Sequence, residues 1–491
     1  MPDHPYQLIV GLETHVQLLT HTKLFCRCST KFGAPPNTQT CPVCIGLPGS
    51  LPVMNREAHR LGMVAAIALN CGIPAFTKWD RKQYYYPDLP KGYQISQYDL
   101  PMSQHGWLEI HDPKSRFEPK KVGIIRAHLE EDAGKSLHDE AAGKADTRID
   151  LNRTGTPLLE IVSAPDIRST EETRAYLNEL KLLLTYLAVS DCNMQEGSLR
   201  VDANINIHID TPQGKIATPI VEIKNLNSFR HIERALAYEA SRQYQAWQET
   251  ARTIKDAPKQ TRGWDDAKGI TFSQREKEES SDYRYFPDPD LCPVVTPPAE
   301  VEQVRGSLTE LPRNIRQRLE QAYGITPYDS DVIVAQGRPL VDYYEAVATA
   351  SGDGKKAANW VTQEVLRTLN EQGWNLEQFP LTAAALAELV KLVVAGEIEV
   401  TRAKEVFNDM VANKRSAAQS MQALGIGRVD LSELEAICQE LVAANPKIVA
   451  DVKSGKQQAV GALLGQAKKR NPNANPNDVR RICLELIERM P

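Results

Sequence analysis

Residues 197–210, GSLRVDANINIHID, alternate polar and apolar side chains almost without interruption. Ser198, Arg200, Asp202, Asn204, Asn206 and His208 share one side, and Leu199, Val201, Ala203, Ile205, Ile207 and Ile209 the other. A period of two argues for an extended strand with one buried face. The pattern recurs along the first half of the chain. LIVGLETHVQL, residues 8–18, sets Leu8, Val10, Leu12, Thr14, Val16 and Leu18 opposite Glu13, His15 and Gln17. VGIIRAHLEEDAGKS, residues 122–136, aligns Arg126, His128 and Glu130, with Glu131 and Asp132 at its end. Residues 145–163 align Arg148, Asp150 and Asn152, then place Glu160 between Leu159 and Ile161, and PIVEIKNLNSF at 219–229 sets Glu222 beside Lys224. Antiparallel sheets often leave one face to water. These faces favour Asp, Asn, Arg and His over the usual Lys, Glu and Thr, so a lined active-site cavity is expected.

Helical segments supply the cover for the apolar side. Residues 55–70 carry Leu61, Val64, Ala65 and Ala68 on one stripe. Ser169 with Glu172 forms a capping box ahead of Tyr176, Leu177, Leu180, Leu184 and Leu187, and a further helix is predicted over 229–249. Sheet plus covering helices gives an α+β layer architecture. Beyond residue 293 the character changes. Residues 296–304, TPPAEVEQV, read as a Pro-containing linker, and the remainder has the spacing of a helical bundle. The expected domains are therefore 1–293, 294–410 and 411–491, a reasonable division of 491 residues.

Cys26, Cys28, Cys41 and Cys44 form C-x-C-x12-C-x2-C around a loop bearing Gly33, Pro35 and Pro36. Paired thiolates closed by a loop suit tetrahedral Zn²⁺, and four cysteines leave no open position, so the site would be structural. An odd total of nine cysteines fits a reducing cytosol better than a disulfide framework. Cys71, Cys192, Cys292, Cys438 and Cys483 read as buried small hydrophobes. No apolar run approaches membrane length, and the opening MPDHPYQLIVG lacks the basic start of a secretory signal, so a cytoplasmic protein without membrane contact is expected.

The polar strand faces point to a chemistry. Glu13, His15, Glu130, Glu131 and Asp150 are hard ligands suited to Mg²⁺ on phosphate oxygens, and Arg200 and Lys224 would neutralise a transferring phosphoryl group. The loop at 81–99, RKQYYYPDLPKGYQISQYD, offers Lys82, Tyr84, Tyr86 and Lys91 to a phosphate or a base. Gly134-Lys135-Ser136 is a decoy, because a P-loop needs Gly where Leu129 stands. No nucleophile elbow is visible, which disfavours acyl-enzyme chemistry. Metal-assisted hydrolysis and a non-catalytic nucleic-acid-binding scaffold remain open on these residues. The chain totals −5, which argues against indiscriminate nucleic-acid binding, yet residues 452–491 carry eight cations against three anions. Lys453, Lys456, Lys468, Lys469 and Arg470 on that tail are the candidate contacts to a nucleic-acid backbone.

GLETHVQL, KLFCRCS, CPVCIGLPGSLPVMN, YYYPDLPKGYQISQ, HLEEDAGKS, DLNRTGTPLLEIVS, GSLRVDANI, EIKNLNSFR and DYRYFPDPDL, taken in order, resemble the B subunits of the aspartyl/glutamyl-tRNA amidotransferases. The resemblance spans essentially the whole chain. It implies an antiparallel cradle of the glutamine synthetase/guanido kinase type, then a helical domain and a tail domain that grips the tRNA elbow. It also implies a reaction. ATP phosphorylates the side-chain carboxylate of Glu-tRNA(Gln) or Asp-tRNA(Asn), and ammonia displaces the phosphate. The ammonia is released from glutamine by the A subunit, within a heterotrimer completed by the C subunit. In that family Glu13, His15, Glu130 and Glu131 correspond to Mg²⁺ ligands, and the four cysteines hold zinc in some members. The expected catalytic set is thus Glu13, His15, Glu130, Glu131, Asp150, Arg200 and Lys224. Lys82, Tyr84, Ser198, Arg200, Asp202, Asn204 and Glu222 are the expected ATP contacts. Cys292 stands where the family usually has proline, at a domain edge.

Overall fold

The long alternation at 197–210 becomes the strand Leu199–Thr211, and its apolar side chains Leu199, Val201, Ala203, Ile205 and Ile207 are all buried. A computed structural model of the chain describes residues 6–138, 147–274, 283–427, 431–471 and 473–490. It divides into two units, Met1–Pro312 and Arg313–Pro491.

The first unit is organised by a nine-stranded sheet. In chain order its strands are β1 Tyr6–Gln17, β2 Ser103–Ile110, β3 Lys120–Glu131, β4 Pro157–Ser163, β5 Leu199–Thr211, β6 Gly214–Ala217, β7 Val221–Lys224, β8 Gln260–Asp265 and β9 Ile270–Ser273. The spatial order is β9-β8-β7-β5-β1-β4-β3-β2, with β6 paired to β5. Every pairing is antiparallel except β7 with β8, which run parallel. Helices α1 Arg56–Ala68, α2 Thr170–Tyr186 and α3 Phe229–Thr250 cover the apolar face. α1 packs on β2 and β3, α2 on β2 and α3, and α3 on β5 and β9. Asn55, Ser169 and Ser228 cap the three helices by accepting N–H groups of the first turn.

β3 contains an irregularity that strict alternation does not anticipate. Val122 and Ile124 are buried, and so are Ala127 and Leu129, although these pairs have opposite parity. The register against β4 shifts between Ile124 and Arg126, and Ile125, the extra residue, is 47% exposed. This bulge is what lets both apolar pairs face the core while Arg126, His128 and Glu130 line up on the polar side.

The expected linker at 296–304 is structured. Val294–Val295 pairs with Phe76–Thr77, and the helix α4 Pro298–Gly306 packs on α1 with Val304 joining the core. Pro297 and Pro298 start that helix, since a missing N–H costs nothing in its first turn. Cys292 is exposed, unlike the buried Cys71, Cys192, Cys438 and Cys483, so the reading of Cys292 as a core residue is corrected. It lies in a surface turn between Arg81-anchored Asp290 and the short Val294–Val295 strand.

The second unit is helical throughout its described residues. Leu386, Val390, Val406, Phe407 and Met410 share a core with Leu340 and Tyr344. Ala417–Ala423 packs on Val400–Asn413 and Ala383–Val394. The tail has its own core, Leu434, Cys438, Leu441, Leu463, Val479, Ile482 and Cys483, gathered from helices that begin at Leu431. No helix among the described residues is long and apolar enough to cross a membrane.

Leu12 is 1% exposed at the centre of the first unit's core. Leu12→Ala should therefore lower stability by about 2–5 kcal/mol in urea denaturation followed by tryptophan fluorescence. Ile125→Ala, on the exposed side of the bulge, should change it by no more than about 0.5 kcal/mol. Equal effects would contradict the assigned faces.

Candidate functional site

Strand register alone brings the central side chains together. His15 pairs with Arg200 on one side and Glu160 on the other, and Glu160 pairs in turn with His128. Arg200, His15, Glu160 and His128 thus form a row across β5, β1, β4 and β3. Directly paired residues on one face lie about 4.5–5.5 Å apart, so this row is a contact set. His15 Nε2 is 3.5 Å from Glu160 Oε2 and 3.7 Å from Glu130 Oε1, and His128 Nε2 is 3.6 Å from Glu160 Oε2. One ligand atom from each of His15, Glu130 and Glu160 falls within 4.8 Å of the others.

Burial sets the electrostatics of the row. Desolvation disfavours a charged His15, but its hydrogen bond to Glu160 and the charges of Glu160 and Glu130 outweigh that, raising it to about 9. His128 is lowered to about 4 by burial, with the cations Arg126, Lys82 and His15 adding to the effect against Glu160. Glu130 is raised to about 7 by burial and by the neighbouring Glu160 charge. Burial opposes the Glu160 charge too, yet His128, His15 and Lys82 hold it well below the carboxylate range. Lys82 lies between the rings of Tyr84 and Tyr283, at 5.9 and 5.0 Å, and Glu130 and Glu160 keep it charged despite burial. Tyr84 donates to Gln94 Oε1 at 3.0 Å.

The same face carries polar atoms with nothing to bind. Arg126 Nε, His128 Nδ1, Arg200 Nε and Asn204 Oδ1 are buried without a hydrogen-bond partner among the described residues. Buried polar atoms are normally satisfied, so this concentration indicates a surface built for a polar ligand. Two carboxylates and an imidazole that gives up its proton on binding are a donor set that fits a divalent cation.

Other expected site residues are engaged in contacts of their own. Glu13 is on the same face as His15, but its Oε1 accepts from Asn204 Nδ2 at 2.9 Å. Glu131 is turned away from the row, its carboxylate accepting from the Lys91 ammonium and from Ile95 N–H at 3.1 Å. Asp150 belongs to a separate hairpin, where Oδ1 accepts the N–H groups of Asn37 and Asn152 at 3.1 and 3.0 Å. Ser198 is folded into the turn before β5, bonded to Asp191 and Asn193. Asp202, Lys224 and Glu222 form an ion chain, with Lys224 Nζ at 2.6 and 2.8 Å from the two carboxylates. Glu160 is the residue that sequence reasoning left out of the ligand set. Its signal was a lone carboxylate in the otherwise apolar segment PLLEIVS.

Beside the row opens a cavity of about 530 Å³. Arg200, Asp202 and Gln17 form part of its wall, joined by Lys135, Arg153 and residues 30–34 of the cysteine loop. Arg200 Nη2 is held at 2.9 Å by the buried Asp132, which also takes Gln17 Nε2 at 3.0 Å. The volume suits a small ligand, and the wall mixes the cations Lys31, Lys135, Arg153 and Arg200 with the carboxylates Asp150, Glu196 and Asp202.

The four loop cysteines converge, their sulfurs within 4.8 Å of one another. Lys23, 0% exposed, donates to Gln39 O at 2.8 Å and Leu151 O at 3.4 Å and sits 3.6 Å from Cys44 Sγ. Among the described residues no carboxylate is within ion-pair distance of it. A buried ammonium needs a compensating negative charge, and four thiolates around a divalent ion supply one. The Cys26 hydrogen bond, followed by other loop contacts and Lys23, lowers the Cys44 thiol to about 4, while Cys26 itself is pushed up. The donor set therefore fits zinc.

In the tail, Lys468 and Lys469 are exposed in the last turn of Gly461–Arg470, where cations also favour the helix dipole. Arg470 pairs with Glu440, Lys456 with Asp451, and Lys453 reaches Met490 O at 2.9 Å.

The chain is similar to known proteins along nearly its whole length. The family described as the GatB/GatE catalytic domain matches residues 8–302, and the family described as the GatB domain matches residues 342–487. The B subunit of the aspartyl/glutamyl-tRNA(Asn/Gln) amidotransferase of Rhodopirellula baltica is 60% identical over 487 residues, spanning 99% of this chain and 98% of that protein. Proteins of the same name from Carboxydothermus hydrogenoformans and Moorella thermoacetica are each 45% identical, covering 99% and 98% of this chain and 99% and 100% of their own lengths.

Two measurements test the metal sites. Glu160→Gln should weaken Mn²⁺ binding, read by electron paramagnetic resonance, by more than the roughly 10–100-fold lost when an outer partner is removed. Glu131→Gln should leave it within about twofold; the reverse order would relocate the site. Lys23→Met should lower zinc affinity roughly 10–100-fold in competition with a chromophoric chelator, and unchanged affinity would mean that the ammonium is balanced elsewhere.

Proposed function

This chain belongs to the GatB family, and from that premise we propose that it activates the side-chain carboxylate of Glu-tRNA(Gln), Asp-tRNA(Asn) or both with ATP. Ammonia then completes the amide, supplied by a glutaminase (the A subunit) in a heterotrimer completed by the C subunit. The observation that carries this reading is the row His15–Glu160–His128 with Glu130, set beside a cavity lined by Arg200, Arg153 and Lys135 together with carboxylates.

In the first step a carboxylate oxygen of the aminoacyl side chain attacks the γ-phosphorus and ADP leaves. In the second, the ammonia nitrogen attacks the acyl carbon and inorganic phosphate leaves with that same oxygen. His15, Glu130 and Glu160 would hold Mg²⁺, which when bound offsets charge on the phosphate oxygens. Arg200 is charged and fixed by Asp132, so its remaining donors are held in place for the oxygens of an anionic ligand. Lys82 adds a second cation to the face, held between aromatic rings that limit its motion. Glu160, held ionised by its neighbours, is available as a ligand. Lys468 and Lys469 would contact the tRNA backbone.

The assembled complex with Glu-tRNA(Gln), labelled ATP and no ammonia donor should release phosphate in a tRNA-dependent manner. Glu160→Gln should lower that rate by about 10²–10³-fold, and an unaffected rate would remove the row from catalysis. Reversing Lys468 and Lys469 to Glu together should weaken tRNA binding and flatten its log–log salt dependence by about 1–2 units. An unchanged slope would place the tRNA contact elsewhere.

A further inference from the structure

The cysteine loop does more than close a zinc site: its tip is a wall of the cavity. Lys31, Phe32, Gly33 and Ala34 line it. Phe32 is 66% exposed, and no ring pair among the described residues includes it. An aromatic left this open contributes little to the core, so its role is sought outside packing.

The loop is held rigid without help from Phe32. Asn37 N–H donates to Asp150 Oδ1, Asn37 Nδ2 to Ile149 O at 2.9 Å, and Leu151 N–H to Asn37 Oδ1 at 2.8 Å. Gln39 N–H donates to Asn152 Oδ1 at 2.8 Å, and Asn152 Nδ2 to Pro35 O at 2.7 Å. The converging cysteines fix both ends of the tip. Asp150 and Asn152 thus act as positioning residues for the loop, and the loop presents one flat apolar ring at the cavity.

We propose that Phe32 stacks on the purine ring of an adenine nucleotide whose phosphates reach toward Arg200, Arg153 and Lys135. Every base offers a π face to an aromatic side chain, and carboxamides suit adenine's donor and acceptor edge. Gln195 and Asn227 stand in the same cavity lining. The inference rests on the proposed ATP-dependent reading, and adenine reaches this enzyme from two sources, ATP and the terminal adenosine of the tRNA.

The test uses the assembled complex carrying Phe32→Ala, Phe32→Tyr or Phe32→Trp. KM for ATP is measured at saturating Glu-tRNA(Gln), and KM for Glu-tRNA(Gln) at saturating ATP. Direct ATP binding is followed by equilibrium dialysis, and zinc content by mass spectrometry. Phe32→Ala should raise one KM roughly 5–150-fold with kcat within about twofold, and Tyr or Trp should restore it. A rise in the ATP arm, matched by dialysis, assigns the ring to ATP; a rise in the tRNA arm alone assigns it to the terminal adenosine. Both KM values unchanged, with normal zinc and assembly, would overturn the stacking while leaving the catalytic reading intact. A fall in zinc content or assembly shared by all three variants would make Phe32 structural and also overturn it. A wild-type complex that consumes no ATP would instead defeat the underlying reading.

Discussion

A carboxylate buried in the middle of an apolar strand has to be met by neighbours, and at Glu160 the neighbours are two imidazoles supplied by the strands on either side. An isolated buried charge would be costly enough to shift its protonation or destabilise the sheet. Much of the local architecture serves that requirement. β1 must run between β5 and β4 in this register for His15 to reach Glu160, since a slip of one residue would turn it to the core. The bulge at Ile125 corrects the parity of β3 so that His128 arrives on the same side while Val122 and Ile124 stay buried.

The cavity and the cysteine loop depend on the row less directly. Arg200 belongs to both, standing beside His15 in the sheet and lining the cavity. Asp132 fixes Arg200 from the end of β3, and Gly155 N–H donates to the Asp132 backbone carbonyl at 2.8 Å. Gly155 has φ +81, and a Cβ there would meet Cys44 and Lys23 at 3.5 and 3.6 Å. The turn after the Asp150 hairpin therefore passes against the cysteine loop in a conformation that favours glycine. Loop, turn and row form one connected set of contacts within the first unit.

Much of this was legible in the sequence because period-two alternation reports directly on which face is buried. Leu199–Ile209, the cover helices and the cysteine knuckles follow from spacing and caps. Membership of a site is harder to read than membership of a face. Glu131 and Glu130 are neighbours in sequence yet point apart, because adjacent strand residues must. Asp150 Oδ1 and Ser198 Oγ accept nearby backbone N–H groups, contacts that residue type alone does not announce. Glu160 was visible as an isolated carboxylate, and only pairing across three strands shows what it meets. The helix at Pro298–Gly306 hid behind its prolines, which mark a helix start as readily as a linker.

If the acid row is where a phosphoryl group passes from ATP to the aminoacyl side chain, the most direct measurement follows oxygen. Glu-tRNA(Gln) carrying ¹⁸O in its side-chain carboxylate is turned over by the assembled complex with unlabelled ATP and glutamine, and the released phosphate is weighed by mass spectrometry. Phosphoryl transfer to the side chain predicts one carboxylate-derived oxygen in each phosphate released with amide formation. Phosphate carrying only solvent and ATP oxygens, at undiminished amide yield, would contradict it.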